Sequence, residues 1–273
     1  MYLSIGGICL KIKSDDLDFI KKIAQEFSAF VQAKDSSDYF LIEVIHDYTP
    51  QEIDSISVFK KKAVFKVQGD EFIGSINVEH KTAKVHLADL AGVFNCFLRV
   101  FYSVVLLENN GFLVHSVGLA CQDNGYLFAG ASESGKTTTA KMAKDFQVLS
   151  DELVIIRHVN GKVYLFSTPF KGEFDGPISS QCVYLQMISF LSKNIPNGFR
   201  VLSKMETFSN LLANIFFFAW DDESNQKLIN QVKSVCDCIR GYRVDLFNFD
   251  LRRIINGISK NNSAEQPSSL AAG

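Results

Sequence analysis

Hydrophobic and polar positions change rhythm several times along the 273 residues. Residues 2–13 and 39–45 read as strands. Between them, 15–31 carries apolar side chains at helical spacing behind Ser14, with acidic residues in its first turn. Residues 58–67, 71–78 and 82–87 alternate with a period of two around turns at Gln68-Gly69-Asp70 and Glu79-His80-Lys81, which predicts an antiparallel meander. Residues 90–107 are almost wholly apolar, yet Asn95, Arg99 and Ser103 recur every fourth position. That spacing predicts a mostly buried helix with one polar stripe and not a membrane span.

Beyond that helix, 112–121 and 126–129 read as strands of a hairpin turning at Asn124-Gly125. This register sets Gly130 opposite Leu119 and carries His115 four residues past the end of the partner strand. Short strands follow at 148–149 and 153–156, and a tight turn at Asn160-Gly161 leads into another at 163–167. A strand at 182–191, helices at 203–215 and 223–239 and a last strand at 243–248 complete the pattern, with 211–220 a core helix or strand. The expected fold class is α/β, with a small α+β N-terminal docking or lid domain at 1–88, a mixed-sheet domain at 89–260, and a disordered tail at 261–273.

Composition narrows the function classes. With 47% hydrophobic and 21% charged residues the chain is a folded protein. A net charge of -2, with no strongly basic half, excludes a protein built for non-specific nucleic-acid binding. Six scattered cysteines and no secretory leader predict reduced thiols and a cytoplasmic location. Cys236-Asp237-Cys238 has no second ligand cluster, so no structural zinc is expected.

The chemistry concentrates in Gly130-Ala131-Ser132-Glu133-Ser134-Gly135-Lys136-Thr137-Thr138, which satisfies the G-x-x-x-x-G-K-[ST] phosphate-loop pattern between a strand and a helix-forming run. Glycines let successive backbone N–H groups converge on phosphate oxygens, and the following helix start adds partial positive charge. Lys136 then reaches the β- and γ-phosphates, and the Thr137 hydroxyl ligates Mg²⁺, so ATP or GTP binding is the firmest expectation. Asp151 and Glu152 end an apolar run just downstream; they can share the Mg²⁺, or one can accept a proton from an attacking hydroxyl. No Asn-Lys-x-Asp guanine-reading motif follows, which disfavours a GTPase switch. His115 is placed alongside the loop, either to contact a transferring phosphate or as an ordinary strand histidine.

Together, Leu113-Val-His-Ser-Val-Gly-Leu-Ala120, Gly130 to Thr137 and Val148-Leu-Ser-Asp-Glu152 resemble the nucleotide domain of the HPr kinase/phosphorylase family. Its kinase relatives include the lasso peptide serine kinases and, distantly, ATP-dependent phosphoenolpyruvate carboxykinase. Ser167-Thr-Pro-Phe-Lys-Gly-Glu173 resembles a substrate-side loop of that family. The resemblance implies a P-loop kinase domain using ATP and Mg²⁺, held by Lys136 and Thr137. It makes Asp151 the base toward the acceptor hydroxyl, gives Glu152 to the metal and His115 to the transferred phosphate, and sets Lys171 and Glu173 near the acceptor. It further implies a hydroxyl acceptor, foremost a serine of a protein or peptide, and a homo-oligomer. Glu152 stands where the bifunctional members usually carry a second Asp, and their Ala-Arg-Gly stretch is absent. The alternatives are a kinase of a small hydroxyl compound and a nucleotide-binding regulatory protein without catalysis.

Overall fold

A computed structural model describes residues 1–33, 38–88, 91–131, 134–219, 221–248 and 250–264. Its first part runs β1 (Tyr2–Ile5), β2 (Ile8–Lys13), α1 (Leu17–Glu26), β3 (Val31–Gln32), β4 (Phe40–Ile45), β5 (Ser57–Lys61), β6 (Val64–Gly69), β7 (Phe72–Asn77), β8 (Thr82–Leu87) and α2 (Ala91–Glu108). The second part runs β9 (Gly111–Cys121), β10 (Asn124–Ala129), α3 (Lys136–Met142), β11 (Gln147–Ser150), β12 (Leu153–Val159), β13 (Lys162–Phe166), β14 (Cys182–Leu191), β15 (Phe199–Val201), α4 (Lys204–Leu212), β16 (Ile215–Phe216), α5 (Asp222–Cys238), β17 (Gly241–Val244) and α6 (Leu251–Ala264).

Among the described residues the strands form two mixed sheets, so the α/β class stands. The first is ordered β3-β1-β2-β4-β8-β7-β6-β5, with β2, β4 and β8 parallel and the remaining pairs antiparallel. In the second, β10, β9, β12, β13 and β14 close into a ring, because β14 pairs with β13 on one edge and with β10 on the other. Strands β10, β14 and β17 run parallel, so their carboxyl ends emerge along one edge.

Helix α2 lies between the sheets. Phe94, Phe97 and Phe101 meet Phe19, Phe72 and Phe40 of the N-terminal part edge-on, while Tyr102 meets Phe170 of the second part. Seven of the chain's 24 phenylalanines lie in this aromatic seam, and the core is continuous across residue 88. Arg157 of β12 adds a polar tie, donating to Gly6 O at 2.6 Å and Asn109 O at 3.0 Å. On the far face of the second sheet, α3 and α6 cover Val117, Leu119, Phe128 and Met187. Among the described residues no helix is long and apolar enough to cross a membrane.

Several expectations are corrected. The run 2–13 is a hairpin, because Gly6 and Gly7 take φ of +61° and +72°, a left-handed pair that turns the chain in two residues. The run 58–67 is likewise split, with Lys62 at φ +56°. Helix α1 spans Leu17–Glu26, shorter than 15–31, and is capped by Asp16, whose carboxylate accepts from Asp18 N and Phe19 N, and not by Ser14. The last strand ends at Val244, and α6 occupies a stretch for which no helix was expected. Helix α6 reaches Ala264, so 261–264 is not a disordered tail; residues 265–273 lie outside the described residues.

Candidate functional site

Strand β10 ends at Ala129 and the glycine loop carries the chain into α3, whose N-cap Gly135 sits at φ +97°, a conformation that disfavours any side chain. Lys136 folds back over this loop, its Nζ donating to Gly130 O at 2.8 Å and Ala131 O at 3.0 Å. It is buried, and loss of water lowers its pKa. Ser134 N donates to Ala131 O at 3.2 Å, while Ser134 Oγ is buried with no hydrogen-bond partner among the described residues. A buried hydroxyl in that state has a donor to spare, which an acceptor such as a phosphate oxygen would fit. Thr137 is half-buried and Thr138 exposed at the start of α3; Ser132 and Glu133 lie outside the described residues.

His115 lies closer to this loop than its expected register allowed. The hairpin turns at Gln122-Asp123, with Gln122 at φ +54°, and pairs Ala129 with Ser116, next to His115, whose own N donates to Asn214 O at 2.7 Å. On the other edge of β9, Leu153 pairs with His115, and Ser116 N donates to Glu152 O at 2.9 Å. His115 therefore stands on the strand between the loop exit and the acidic turn. Its ring is exposed, yet partial desolvation lowers its pKa, and the Lys136 and Arg99 charges lower it further against the opposing pull of Glu152. The imidazole is neutral at neutral pH.

The two carboxylates of the turn diverge. Asp151 is 4% exposed, with Oδ1 accepting from Gly172 N at 2.8 Å and Oδ2 from Phe174 N at 2.9 Å. Ser150 Oγ donates to Phe170 O at 2.7 Å, so adjacent side chains of one turn hold the 170–174 loop. Lys171 and Glu173 are exposed on either side of Gly172. Glu152 instead pairs with Arg99 of α2, Oε1 with Nη1 at 2.6 Å and Oε2 with Nη2 at 2.9 Å. Arg99 Nε donates to Asn95 Oδ1 at 3.0 Å, and its guanidinium lies 5.6 Å from the Phe170 ring centre.

Arg99 is the site residue that motif reasoning missed. The available signal was a cation inside an otherwise apolar helix, which requires a partner. The structure thus brings His115, Lys136, Glu152 and Arg99 within electrostatic reach of one another, and turns Asp151 toward the loop bearing Lys171 and Glu173. Among the described residues no group of three or more His, Cys, Asp and Glu is placed to hold a metal ion unaided. A Mg²⁺ ion held by one or two side chains and substrate phosphates fits that donor set.

The fold and site define a mixed α/β protein with a glycine loop between a strand and a helix. No family model and no curated protein matches the chain. Among solved structures it is similar to the HPr(Ser) kinase/phosphatase from Coxiella burnetii, at 13% identity over 56% of this chain and 96% of that one, with a TM-score of 0.33. So little superposable backbone transfers no residue roles, and those proposed below rest on this chain's own geometry.

Proposed function

We propose that the protein is an ATP- and Mg²⁺-dependent kinase that transfers the γ-phosphate to a hydroxyl, foremost a serine of a protein or peptide. The observation that carries this reading is the glycine loop itself, where a buried lysine ammonium bonded to loop carbonyls lies beside a buried serine hydroxyl that has no partner among the described residues. Lys136 exchanges Gly130 O and Ala131 O for β- and γ-phosphate oxygens, and Ser134 Oγ donates to phosphate. Thr137 and Glu152 hold Mg²⁺, each oxygen of Glu152 keeping an acceptor direction beyond its bond to Arg99. Bound there, the ion supplies charge neutralisation across the phosphates. Neutral His115 donates an N–H to the transferring group, where charge develops.

Asp151 accepts the proton of the acceptor hydroxyl. An ionised carboxylate offers about four lone-pair sites, and Asp151 uses two of them on the 170–174 loop. The group that takes the proton is thereby fastened to the segment whose Lys171 and Glu173 meet the acceptor. A Cβ at Gly172 would stand 2.8 Å from Asp151 Oδ2, so Gly172→Ala displaces this contact while leaving the glycine loop intact.

The engagement of both carboxylates also favours a second reading, a nucleotide-binding regulatory protein without transfer. Incubation with Mg²⁺-ATP and fractionated lysate, followed by phosphosite mapping by mass spectrometry, separates the two. Phosphoserine formed by the native protein, lost in Lys136→Ala and reduced in Asp151→Asn and Gly172→Ala, supports the kinase. ATP binding with no transfer to any fraction supports the second reading, and undiminished turnover in Asp151→Asn removes the base assignment.

A further inference from the structure

Ligands of α/β sheets sit beyond the carboxyl ends of parallel strands. Here three such strands end side by side: Ala129 of β10 is level with Phe190 of β14, and Leu191 of β14 with Val244 of β17. The first end feeds the glycine loop; the other two feed Lys193 and Phe247. Phe247 is 50% exposed in a chain that otherwise spends its phenylalanine largely on the core, and it stands directly against the glycine loop. A Cβ at Gly135 would lie 3.4 Å from the Phe247 Cζ atom. The Lys193 ammonium sits 4.4 Å from the centre of the ring.

This exposure is built rather than left over. Asp245 is fully buried, and its Oδ1 accepts from Phe247 N at 3.0 Å and Asn248 N at 3.2 Å. Its Oδ2 accepts from Asn194 N at 2.8 Å, Ile195 N at 3.4 Å and the Asn248 side chain at 2.8 Å. One carboxylate therefore ties the Lys193 loop to the Phe247 turn and holds an aromatic ring outward beside the candidate phosphate loop. Resting on the nucleotide reading above, we infer that Phe247 is the stacking platform for the purine base of the bound nucleoside triphosphate, with Lys193 and Asp245 as its positioning residues. Every base presents a π-face to such a ring, and the ring's position beside Gly135 matches a ligand whose phosphates lie in the loop and whose base leans out of it.

The test compares ATP with inorganic tripolyphosphate, which carries the phosphates without the base, by calorimetric titration of the full chain. Removal of one base-stacking ring weakens binding by roughly five- to 150-fold. Phe247→Ala is expected to lose ATP affinity on that scale and to leave tripolyphosphate unchanged, whereas Lys136→Ala loses both. Phe247→Trp is expected to restore ATP affinity, and its added fluorescence to be quenched by ATP but not by tripolyphosphate. Equal loss of both ligands in Phe247→Ala, or quenching by both in Phe247→Trp, would overturn the stacking assignment. Failure of the native chain to bind either ligand overturns the nucleotide reading as well, so the two failures are distinguishable.

Discussion

The bidentate Arg99–Glu152 pair joins α2 to the acidic turn, and its strength follows from its setting. The side chains are 21% and 29% exposed. Two unit charges at contact distance attract by about 4 kcal/mol at an effective dielectric constant of ~20. Fixing two long side chains and partly desolvating them offsets about 2–3 kcal/mol of that. A net stabilisation of about 1–2 kcal/mol remains, and the pairwise coupling, from which each group's own desolvation cancels, is at least that large by these figures. A double-mutant cycle of Arg99→Met and Glu152→Gln, followed by urea denaturation, measures it directly. Each single variant leaves its partner's charge half-buried and is expected to lose more stability than half of the double variant's loss. A coupling below about 0.5 kcal/mol would refute the reasoning, since distant independent sites already show that much non-additivity. The His115 ring gives an independent check by NMR titration. Arg99 lowers its pKa and Glu152 raises it, so Arg99→Met moves the titration up and Glu152→Gln moves it down. Shifts of the same sign would place the pair away from the ring.

Two further outcomes follow from groups whose surroundings are fixed. The folded state holds the His115 pKa below its unfolded value, so the unfolded chain takes up the proton first; stability is then full above about pH 6.5 and falls with pH through the lower folded value. His115→Gln is expected to flatten that acid limb in thermal melts from pH 7 to pH 5, and an unchanged slope would contradict the shift. Burial pushes the Cys236 thiol up to about 11, whereas Cys238, two residues along α5, is exposed. At pH 8 a thiol reagent with mass-spectrometric mapping is expected to label Cys238 rapidly and Cys236 only on unfolding, and equal rates would overturn this.

How far the sequence could be read depended on whether a feature was local. The strand ending at Ala129 and the helix starting at Lys136 were legible because their signal lies within one short segment. The polar stripe of α2 was legible as a stripe, but not as Arg99 reaching Glu152 across 53 positions, because nothing in the chain between them records that contact. Asp151 and Glu152 were read as one acidic pair; as neighbours on an extended turn they point apart, one to the 170–174 loop and one to α2. Both runs read as single strands, 2–13 and 58–67, break at backbone angles of Gly6-Gly7 and Lys62, which the pattern of apolar and polar residues on either side does not mark. The hairpin register failed similarly, since Asn124-Gly125 is the stronger turn signal but the chain turns at Gln122-Asp123. The residues of Asp245's turn carry no motif, and their meaning appears only where three parallel strands end together.

The expected division at residue 88 makes a testable claim about folding. Separate domains would each close a core, but Phe94, Phe97 and Phe101 of α2 are fully buried, and the rings they meet, Phe19, Phe72 and Phe40, all precede that boundary. Uncovering a buried phenylalanine costs about 1.5–3 kcal/mol, so exposing three costs about 5–9 kcal/mol. That is comparable with the whole stability of an ordinary domain, about 5–15 kcal/mol. Arg157 would also lose its bond to Gly6 O, and Lys60 of β5 its contacts with Asp221 and Glu223 at the start of α5. The segment after residue 88, expressed alone, is therefore expected to lack a cooperative urea transition, while the full chain unfolds in one step by both circular dichroism and tryptophan fluorescence. A fragment that melts cooperatively and binds ATP would show that the aromatic seam is dispensable, and would make residues 1–88 a docked module in place of half of a shared core.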